Sequence, residues 1–450
     1  MEDTIIAIST ALGVGAISII RVSGTQSIEI VNKIFKNKDL SKVDTHTIHY
    51  GKIVDNEEII DEVLVSVMKS PKTFTTEDVV EINCHGGIIT TQKVLELLIR
   101  NGCRLAEPGE FTKRAFLNGR IDLTEAEGVM DLIEAKTDNM RKMAINKVSG
   151  KVSNMISDLR EDLIKIISNI EVNIDYPEYE DIEVVTNKMI EEKIGNIELK
   201  LQKILDESES GKILKEGIKT SIIGKPNVGK SSLLNMLLDE DKAIVTDIEG
   251  TTRDIVEGTL NLDGIILNMI DTAGIRKTDN IVEKIGVDKS IELIDNSDLI
   301  LFVLNNNEEI TKEELEIYNK LKNKNHIVIV NKIDLEKKLS LPFSDSNIIE
   351  MSTINNIGIE ELKKKIKELF NLEKIEKGDF TYLTNSNDIA IIKKSLDSIK
   401  DIKNGLKNNL EIDMLEIDIK NIWNLLGEII GETYEDELID YLFSHFCLGK

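Results

Sequence analysis

What is scarce in this sequence removes whole classes of protein. Cysteine occurs only at Cys84, Cys103 and Cys447, widely separated and without a CxxC pair, so neither a disulfide framework nor a cysteine-based zinc site is expected. Long apolar runs are missing: the longest, Leu299 to Leu304, falls far short of the ~18 residues a membrane-spanning helix needs. Basic charge is outnumbered, 56 Lys and Arg against 81 Asp and Glu, and the net charge of −25 disfavours nonspecific binding to nucleic acid. Any RNA partner must therefore be met locally. Aromatic residues make up only 4%, with one tryptophan, Trp423, so no stacking platform for single strands is visible. Glu2 and Asp3 stand where a secretion signal would carry positive charge, and a reducing, cytoplasmic setting is expected.

What is present is ordinary for a globular chain: 41% hydrophobic and 30% charged residues over 450 positions, enough for two to four domains at about 150 residues each. Residues 4 to 118 mix β-rich runs (IIAIST, AISIIRV, EVLVSVM, EDVVEIN) with short helical stretches and read as a compact α/β domain. Near 120 the texture changes. Thr124 and Glu127 match a capping box, and Val152, Met155, Ile156, Leu159, Leu163, Ile166, Ile167 and Ile170 keep the spacing of a long amphipathic helix whose stripe serves core packing. The acidic stretch Asp175 to Glu183, broken by Pro177, lacks the spacing and glycine of a calcium loop and reads as a solvated connection. From Ile218 to about Phe370 strands (KTSIIG, DLILFVL, HIVIVNK, NIIEMS) alternate with helices, the pattern of a doubly wound α/β domain. The last seventy residues return to helical spacing and are short for a domain of their own, which makes the α/β unit an insertion between helical parts. The expected boundaries are 1–118, 119–213, 214–375 and 376–450.

The strongest motif is GKPNVGKS, Gly224 to Ser231, with a strand before it and the helix SSLLNMLL after it. Gly224 and Gly229 let the backbone curl so that its N–H groups face phosphate oxygens, Lys230 neutralises the outer phosphates, and the Ser231 hydroxyl suits Mg²⁺. Asn331-Lys332-Ile333-Asp334 follows the strand HIVIV, where loops of a parallel sheet meet ligand. A carboxylate at Asp334 can accept from guanine's ring N–H and exocyclic amine together, a pair adenine cannot offer, and Ser352-Thr353 falls at the right distance downstream, so the expected nucleotide is GTP. Asp271-Thr272-Ala273-Gly274 ends the strand IILNMID, placing Asp271 to hold Mg²⁺ through water and the Gly274 N–H to sense the third phosphate. Thr246 to Asp254, TDIEGTTRD, reads as a switch segment that supplies Thr252 as a second hydroxyl ligand to Mg²⁺. After Gly274 stands Ile275, where Ras-type GTPases carry the glutamine that orients water, so water must be activated otherwise. Glu283 is the candidate for positioning water, and Arg253 or Arg276 for stabilising charge.

Together GKPNVGKSSLLN, TDIEGTTRD, DTAGIR, NKID and the terminal FCLGK, Phe446 to Lys450, resemble the tRNA modification GTPase family called MnmE or TrmE, and the resemblance covers the whole chain, including TFTTEDVVEINCHGG and EPGEFTKRAFLNGRIDLTEAEGVMDLI. It implies an amino-terminal α/β domain that binds folate and dimerises, a discontinuous helical domain, and an inserted P-loop GTPase domain of doubly wound, Ras-like fold. It also implies a homodimer that joins a flavin-dependent MnmG-type partner in a heterotetramer. That complex would build an aminomethyl-type (carboxymethylaminomethyl) group at C5 of the wobble uridine of certain tRNAs. The one-carbon unit would come from a tetrahydrofolate derivative (5-formyl or 5,10-methylene), and the acidic balance suggests that tRNA is contacted largely through the partner.

On matching positions, the resemblance implies nucleotide contacts from Asn227, Val228, Gly229, Lys230, Ser231 and Ser232, from Thr246, Asp247, Ile248, Glu249, Gly250, Thr251 and Thr252, from Asp271, Thr272, Ala273 and Gly274, and from Asn331, Lys332, Asp334 and Ser352. Asn227 with backbone groups of Thr246, Ile248 and Thr251 corresponds to a potassium site, Ser231 and Thr252 to magnesium ligands, and Glu283 to the water-orienting glutamate. Potassium would stand in for an arginine finger. Arg21, Glu81, Arg120 and Lys450 correspond to folate-binding positions, Arg120 standing where some relatives have Lys. Cys447 has no evident base beyond Lys450 and is assigned to the folate site or tail packing; Cys84 and His85, in INCHGG, are assigned a structural role with Gly86 and Gly87 in tight backbone packing. The competing class is a ribosome-assembly GTP switch resembling Era or Der, which would be expected to carry a basic RNA-binding module or a second GTPase domain.

Overall fold

The structure is a computed structural model and describes residues 3–175, 186–240, 258–270, 287–372, 380–432, 442–444, 446 and 449. The chain folds into two compact units: Met1–Ile133 with Lys147–Glu180 and Glu416–Lys450, and Glu134–Asn146 with Asp181–Leu415.

The first unit is built on a seven-stranded sheet of β1 (Ile5–Ile8), β2 (Ile17–Ser23), β3 (Phe35–Lys36), β4 (Thr47–Asp55), β5 (Glu58–Met68), β6 (Val79–His85) and β7 (Arg104–Leu105), in the order β3-β4-β5-β6-β2-β1-β7. All its pairings are antiparallel except β1 with β7. Alternate residues of β2, β5 and β6 are buried under the helices Ser27–Ile34 and Ile88–Arg100, where Ile30, Val31, Ile34, Val94, Leu97 and Leu98 meet Ile20, Val65 and Ile82 in one core. This is the period-two pattern of a sheet with one face covered. The other face keeps Arg21 opposite Glu81 and receives Phe111, from the helix Glu110–Leu117, against Ile5, Ala7 and Phe74.

The helix predicted from the stripe at 152–170 is Lys151–Asp175, with Val152, Ile156, Leu159, Leu163, Ile166, Ile167 and Ile170 all buried. The capping box expected at Thr124 and Glu127 forms two residues earlier. Asp122 Oδ1 accepts from the Glu125 N–H at 2.9 Å while Glu125 Oε2 accepts from the Asp122 N–H at 2.9 Å, so the helix Leu123–Glu134 starts two residues ahead of the predicted box. Glu127 is used instead by the buried Lys147, whose Nζ lies 3.2 Å from it and 3.0 Å from Asp131. Near the carboxyl end Phe443 is buried beside Phe116, Ala126 and Phe446, and the Ser9 hydroxyl donates to the Gly449 carbonyl at 3.3 Å, which ties the tail to the end of β1.

The second unit carries a six-stranded sheet of β8 (Ile218–Ile223), β9 (Gly258–Leu262), β10 (Ile265–Met269), β11 (Leu299–Asn305), β12 (His326–Asn331) and β13 (Ile348–Glu350), ordered β13-β12-β11-β8-β10-β9. Only β9 runs antiparallel. Every residue of β11 and β12 is buried, as a strand covered on both faces requires. Leu233 and Leu237 of Lys230–Glu240 and Leu362 and Ile366 of Ile359–Leu369 pack in one core; Ile294 of Val287–Asn296 and Tyr318 and Leu321 of Lys312–Leu321 pack in the other. This is the doubly wound architecture expected from the alternation of strands and helices. No described helix is long and apolar enough to cross a membrane.

Candidate functional site

In the second unit the loops that follow β8, β12 and β13 come together at the carboxyl ends of the parallel strands. The P-loop leaves β8 at Gly224 and enters the helix Lys230–Glu240 at Lys230. Its Lys230 ammonium curls back over the loop and donates to the carbonyls of Gly224 at 2.8 Å and Lys225 at 2.7 Å, which places the charge in the concavity that the loop's N–H groups face. Asn227, with φ +62°, makes the sharp turn, Val228 is buried beneath the loop, and Ser231 and the exposed Ser232 open the helix.

The base-reading loop is tied to this one. Fully buried Asn331 donates from Nδ2 to the Val228 carbonyl at 2.9 Å and accepts the Thr353 N–H on Oδ1 at 3.2 Å. The side chain of Asn331, which the sequence places among the nucleotide contacts, braces the P-loop to the loops after β12 and β13. Gly229 shows how close the brace is: at φ +104°, a Cβ there would lie 2.1 Å from Asn331 Nδ2. Lys332, itself at φ +66°, donates from Nζ to the Asn227 carbonyl at 2.6 Å. Asp334 remains exposed, with Oδ1 accepting from the buried Ser352 hydroxyl at 2.5 Å. The hydroxyl fixes the carboxylate's direction and leaves its other oxygen and remaining lone pairs to accept donors from a base.

Sequence reasoning did not single out Lys225 and Glu314. Lys225 Nζ lies 3.0 Å from Glu314, a buried carboxylate that also accepts the Thr311 N–H in the capping box of Lys312–Leu321. The TxxE spacing was legible; its use by the P-loop was not. Thr246, Asp247, Ile248, Glu249, Gly250, Thr251, Thr252, Arg253, Asp271, Thr272, Ala273, Gly274, Arg276 and Glu283 lie outside the described residues, as do Pro177, His445, Cys447 and Lys450.

In the first unit Arg21 and Glu81 are cross-strand partners, both the Arg21 Nε and Nη2 lying 2.8 Å from Glu81 Oε1. Among the described residues no hydrogen bond reaches Oε2. The Arg21 guanidinium sits 5.7 Å from the centre of the Phe111 ring, Phe74 packs in the same cluster, and the Arg120 guanidinium lies 5.1 Å from the Phe74 ring. The structure thus brings Arg21, Glu81 and Arg120 around one small apolar cluster. Beneath it Arg114, fully buried, bridges Asp3 at 2.8 Å, Glu77 at 3.1 Å and Glu110 at 2.9 Å. Burial alone would raise the Glu110 carboxyl, but hydrogen bonds from Arg104, the Glu107 N–H and Arg114 outweigh it and hold the carboxyl below its ordinary value. Of these charges Glu110 and Arg114 sit in EPGEFTKRAFLNGR, and the network acts as structure. No spacing rule marks them as buried.

Cys84 is buried and its thiol is pushed up to about 11 by burial and then by Asp61, so it is no ready nucleophile. His85 turns its ring to Asp61 at 2.6 Å. A Cβ on Gly86 would meet the Gly15 carbonyl oxygen at 2.4 Å, whereas one on Gly87 would find ordinary contact at 3.6 Å, so the tight packing expected of both glycines falls on Gly86 alone.

Comparison with known proteins bears on both units. Residues 4–120 match the model described as the amino terminus of the GTP-binding protein TrmE, and residues 123–447 match the MnmE helical domain. The chain is 52% identical over 455 residues to the tRNA modification GTPase MnmE of Bacillus cytotoxicus, covering 100% of this chain and 99% of that one. It is also 52% identical over 450 residues to that of Streptococcus thermophilus, covering 100% and 98%. The chain belongs to the MnmE family of tRNA modification GTPases. A solved FeoB G-domain from Methanococcus jannaschii matches 34% of this chain and 98% of its own at 24% identity and a TM-score of 0.25. In MnmE-family terms, the amino-terminal match covers the sheet β1–β7. The helical match spans the segments on either side of the nucleotide loops and includes them.

Proposed function

We propose that this chain is the GTP-binding and GTP-hydrolysing subunit of a complex that places an aminomethyl-type group on C5 of the wobble uridine of tRNA. The observation that carries the reading is the brace from Asn331 to Val228 and Thr353, which joins a phosphate loop to a guanine-reading carboxylate at Asp334. Identity to named tRNA modification GTPases over the whole chain supports the tRNA part of the reading.

On this reading Lys230 moves its ammonium from two loop carbonyls onto the outer phosphates, the loop N–H groups hold the oxygens between them, and Asp334 selects guanine. Glu283 positions the attacking water, Asp271 and the Gly274 N–H respond to the third phosphate, and Ile275 leaves no side chain able to take over the glutamine's task. The donor types fit the ions the family implies: the hydroxyls of Ser231 and Thr252 would hold magnesium, and Asn227 with the backbone of Thr246, Ile248 and Thr251 potassium. Both would supply positive charge to the developing phosphoryl oxygens.

A tetrahydrofolate derivative fits the first unit on two observations. Glu81 Oε2 is left to accept a pterin's amine and ring N–H, and the Arg120 guanidinium is left to meet a carboxylate. Lys450 is assigned to the same ligand. The chain acts as a homodimer within a heterotetramer containing a flavin-dependent MnmG-type partner in the cytoplasm, and that partner makes most of the tRNA contacts. The boundaries 1–118, 119–213, 214–375 and 376–450 belong to this reading.

Nucleoside mass spectrometry of bulk tRNA from cells lacking the chain, with and without its restoration, tests the proposal. Loss and recovery of a 5-substituted wobble uridine is expected; unchanged uridines would leave a GTP switch without substrate chemistry. Glu283→Ala should keep GTP affinity and lower turnover by about 100-fold, and modification should fall with it. Modification that survived the loss of turnover would break the coupling.

A further inference from the structure

Of the described arginines, Arg21, Arg100, Arg104, Arg114, Arg141 and Arg160 each lie within ion-pair distance of a carboxylate, and Arg120 alone has no such carboxylate among the described residues. In a chain with 81 acidic and 56 basic residues, an arginine kept clear of acids is a placed charge. The acid whose field it meets is Glu125, and that carboxylate is occupied by the Asp122 N–H at 2.9 Å. Arg120 lies at the rim of a cleft of about 550 Å³ whose lining includes His46, Met68, Lys72, Phe74 and Asn118, and among the described residues neither aspartate nor glutamate lines it. Lys72 is exposed and likewise has no ion-pair partner among the described residues.

This cleft adjoins the Arg21–Glu81 pair. Met68 is two residues along β5 from Ser66, which is the cross-strand partner of Glu81, so Met68, Ser66, Glu81 and Arg21 point to one face of the sheet. Phe74 connects the same two places from above: it lies under Arg120 and packs in the cluster of Phe111, over which Arg21 sits. A ligand held at Arg21 and Glu81 therefore has a route into a pocket that carries two separated cations and a histidine and no acid among the described residues. An RNA backbone would need an extended basic surface to bind, because its affinity comes from many phosphate contacts. A concave cleft of this size with a few spaced cations suits a short flexible chain of single carboxylates.

We propose that the cleft of Arg120, Lys72 and His46 receives the oligo-γ-glutamate tail of the folate, so that the chain selects folates with several glutamates over those with one. This rests on the folate reading of Arg21 and Glu81 given above. Arg120 meets the first carboxylate, and Lys72 with His46 meets those farther along the tail.

The test is calorimetric titration of the full chain with 5-formyltetrahydrofolate carrying one glutamate and with the same compound carrying five, at low and at raised salt. The longer compound is expected to bind roughly three- to tenfold tighter at low salt, the advantage shrinking as salt rises, because exposed charge pairs are individually weak and screened. In Lys72→Ala and His46→Gln the ratio of the two affinities should fall toward one. A ratio cancels any general loss of folded protein, so a poorly folding variant does not mimic the result.

Equal affinities for both compounds in the unaltered chain, with the one-glutamate form binding, would overturn this inference and leave the folate reading standing. Binding of neither compound would overturn both. A length advantage that survived in both variants would put the tail elsewhere. Loss of tRNA binding in Lys72→Ala with the ratio unchanged would make the cleft an RNA contact and likewise overturn the proposal.

Discussion

The two candidate sites of this chain are assembled in opposite ways. Around the nucleotide loops each functional segment is held by a neighbouring one through a side chain: Asn331 on the Val228 carbonyl, Lys332 on the Asn227 carbonyl, and Ser352 on the Asp334 carboxylate. The residues proposed to touch the ligand and those that hold the loops are drawn from the same short motifs. On the sheet face of the first unit the chemistry-bearing groups come from β2, from β6 and from the turn after Glu110–Leu117, and aromatic rings connect them. Their support is a separate layer, Arg114 with Asp3, Glu77 and Glu110, beneath the surface. A site of the first kind transmits any change directly to the ligand. A site of the second kind can lose its ligand groups with little loss of fold, and its fold without any ligand group being touched.

The largest effect should come where support and function coincide. Lys230→Ala removes the charge that meets the outer phosphates, and phosphate release from GTP should fall by about 10³-fold with the unfolding midpoint little changed. More than a tenth of the activity remaining would mean that the charge is supplied elsewhere. In the first unit the matching experiment is Arg114→Met, which leaves Glu77 and Glu110 without their counter-charge and should cost about 3 kcal/mol in urea unfolding.

Acid should expose the same layer. The Glu110 carboxyl is held below its ordinary 4.5, so the unfolded chain takes up that proton at a higher pH than the folded one. The stability from this group is therefore complete above 4.5 and is lost as pH falls through the lowered folded value. In Arg114→Met that acid-dependent loss should shrink, and an unchanged slope would place the network's contribution elsewhere.

This contrast also explains what could be read from the sequence. GKPNVGKS and NKID were legible because each motif fixes its own backbone turn at the end of a strand, and the uniformly apolar runs LILFVL and HIVIV announced strands covered on both faces. The capping box was displaced because Thr-x-x-Glu at 124–127 and Asp-x-x-Glu at 122–125 overlap, and the latter won when Glu127 was drawn to the buried Lys147. Arg114 gave no signal at all, since an arginine in a helix is usually a surface residue and only tertiary packing buries this one. Arg120 was placed by resemblance alone. That no carboxylate among the described residues pairs with it is a property of the folded neighbourhood and of no pattern along the chain.

The smallest change sharpens the comparison most, because it removes one hydroxyl that supports a carboxylate and leaves the carboxylate itself in place. Ser352 is buried and donates to Asp334 Oδ1, so Ser352→Ala leaves the carboxylate proposed to read guanine in place but free to turn. A hydrogen bond to a charged acceptor contributes about 1.5 kcal/mol, and GTP affinity should weaken by roughly tenfold, with the loss smaller for inosine triphosphate, which lacks the exocyclic amine. If the two nucleotides weakened equally, Ser352 would be holding the loop as a whole and the carboxylate's aim would be set by its backbone. The nucleotide site would then resemble the first unit, with its support lying behind the groups that read the ligand.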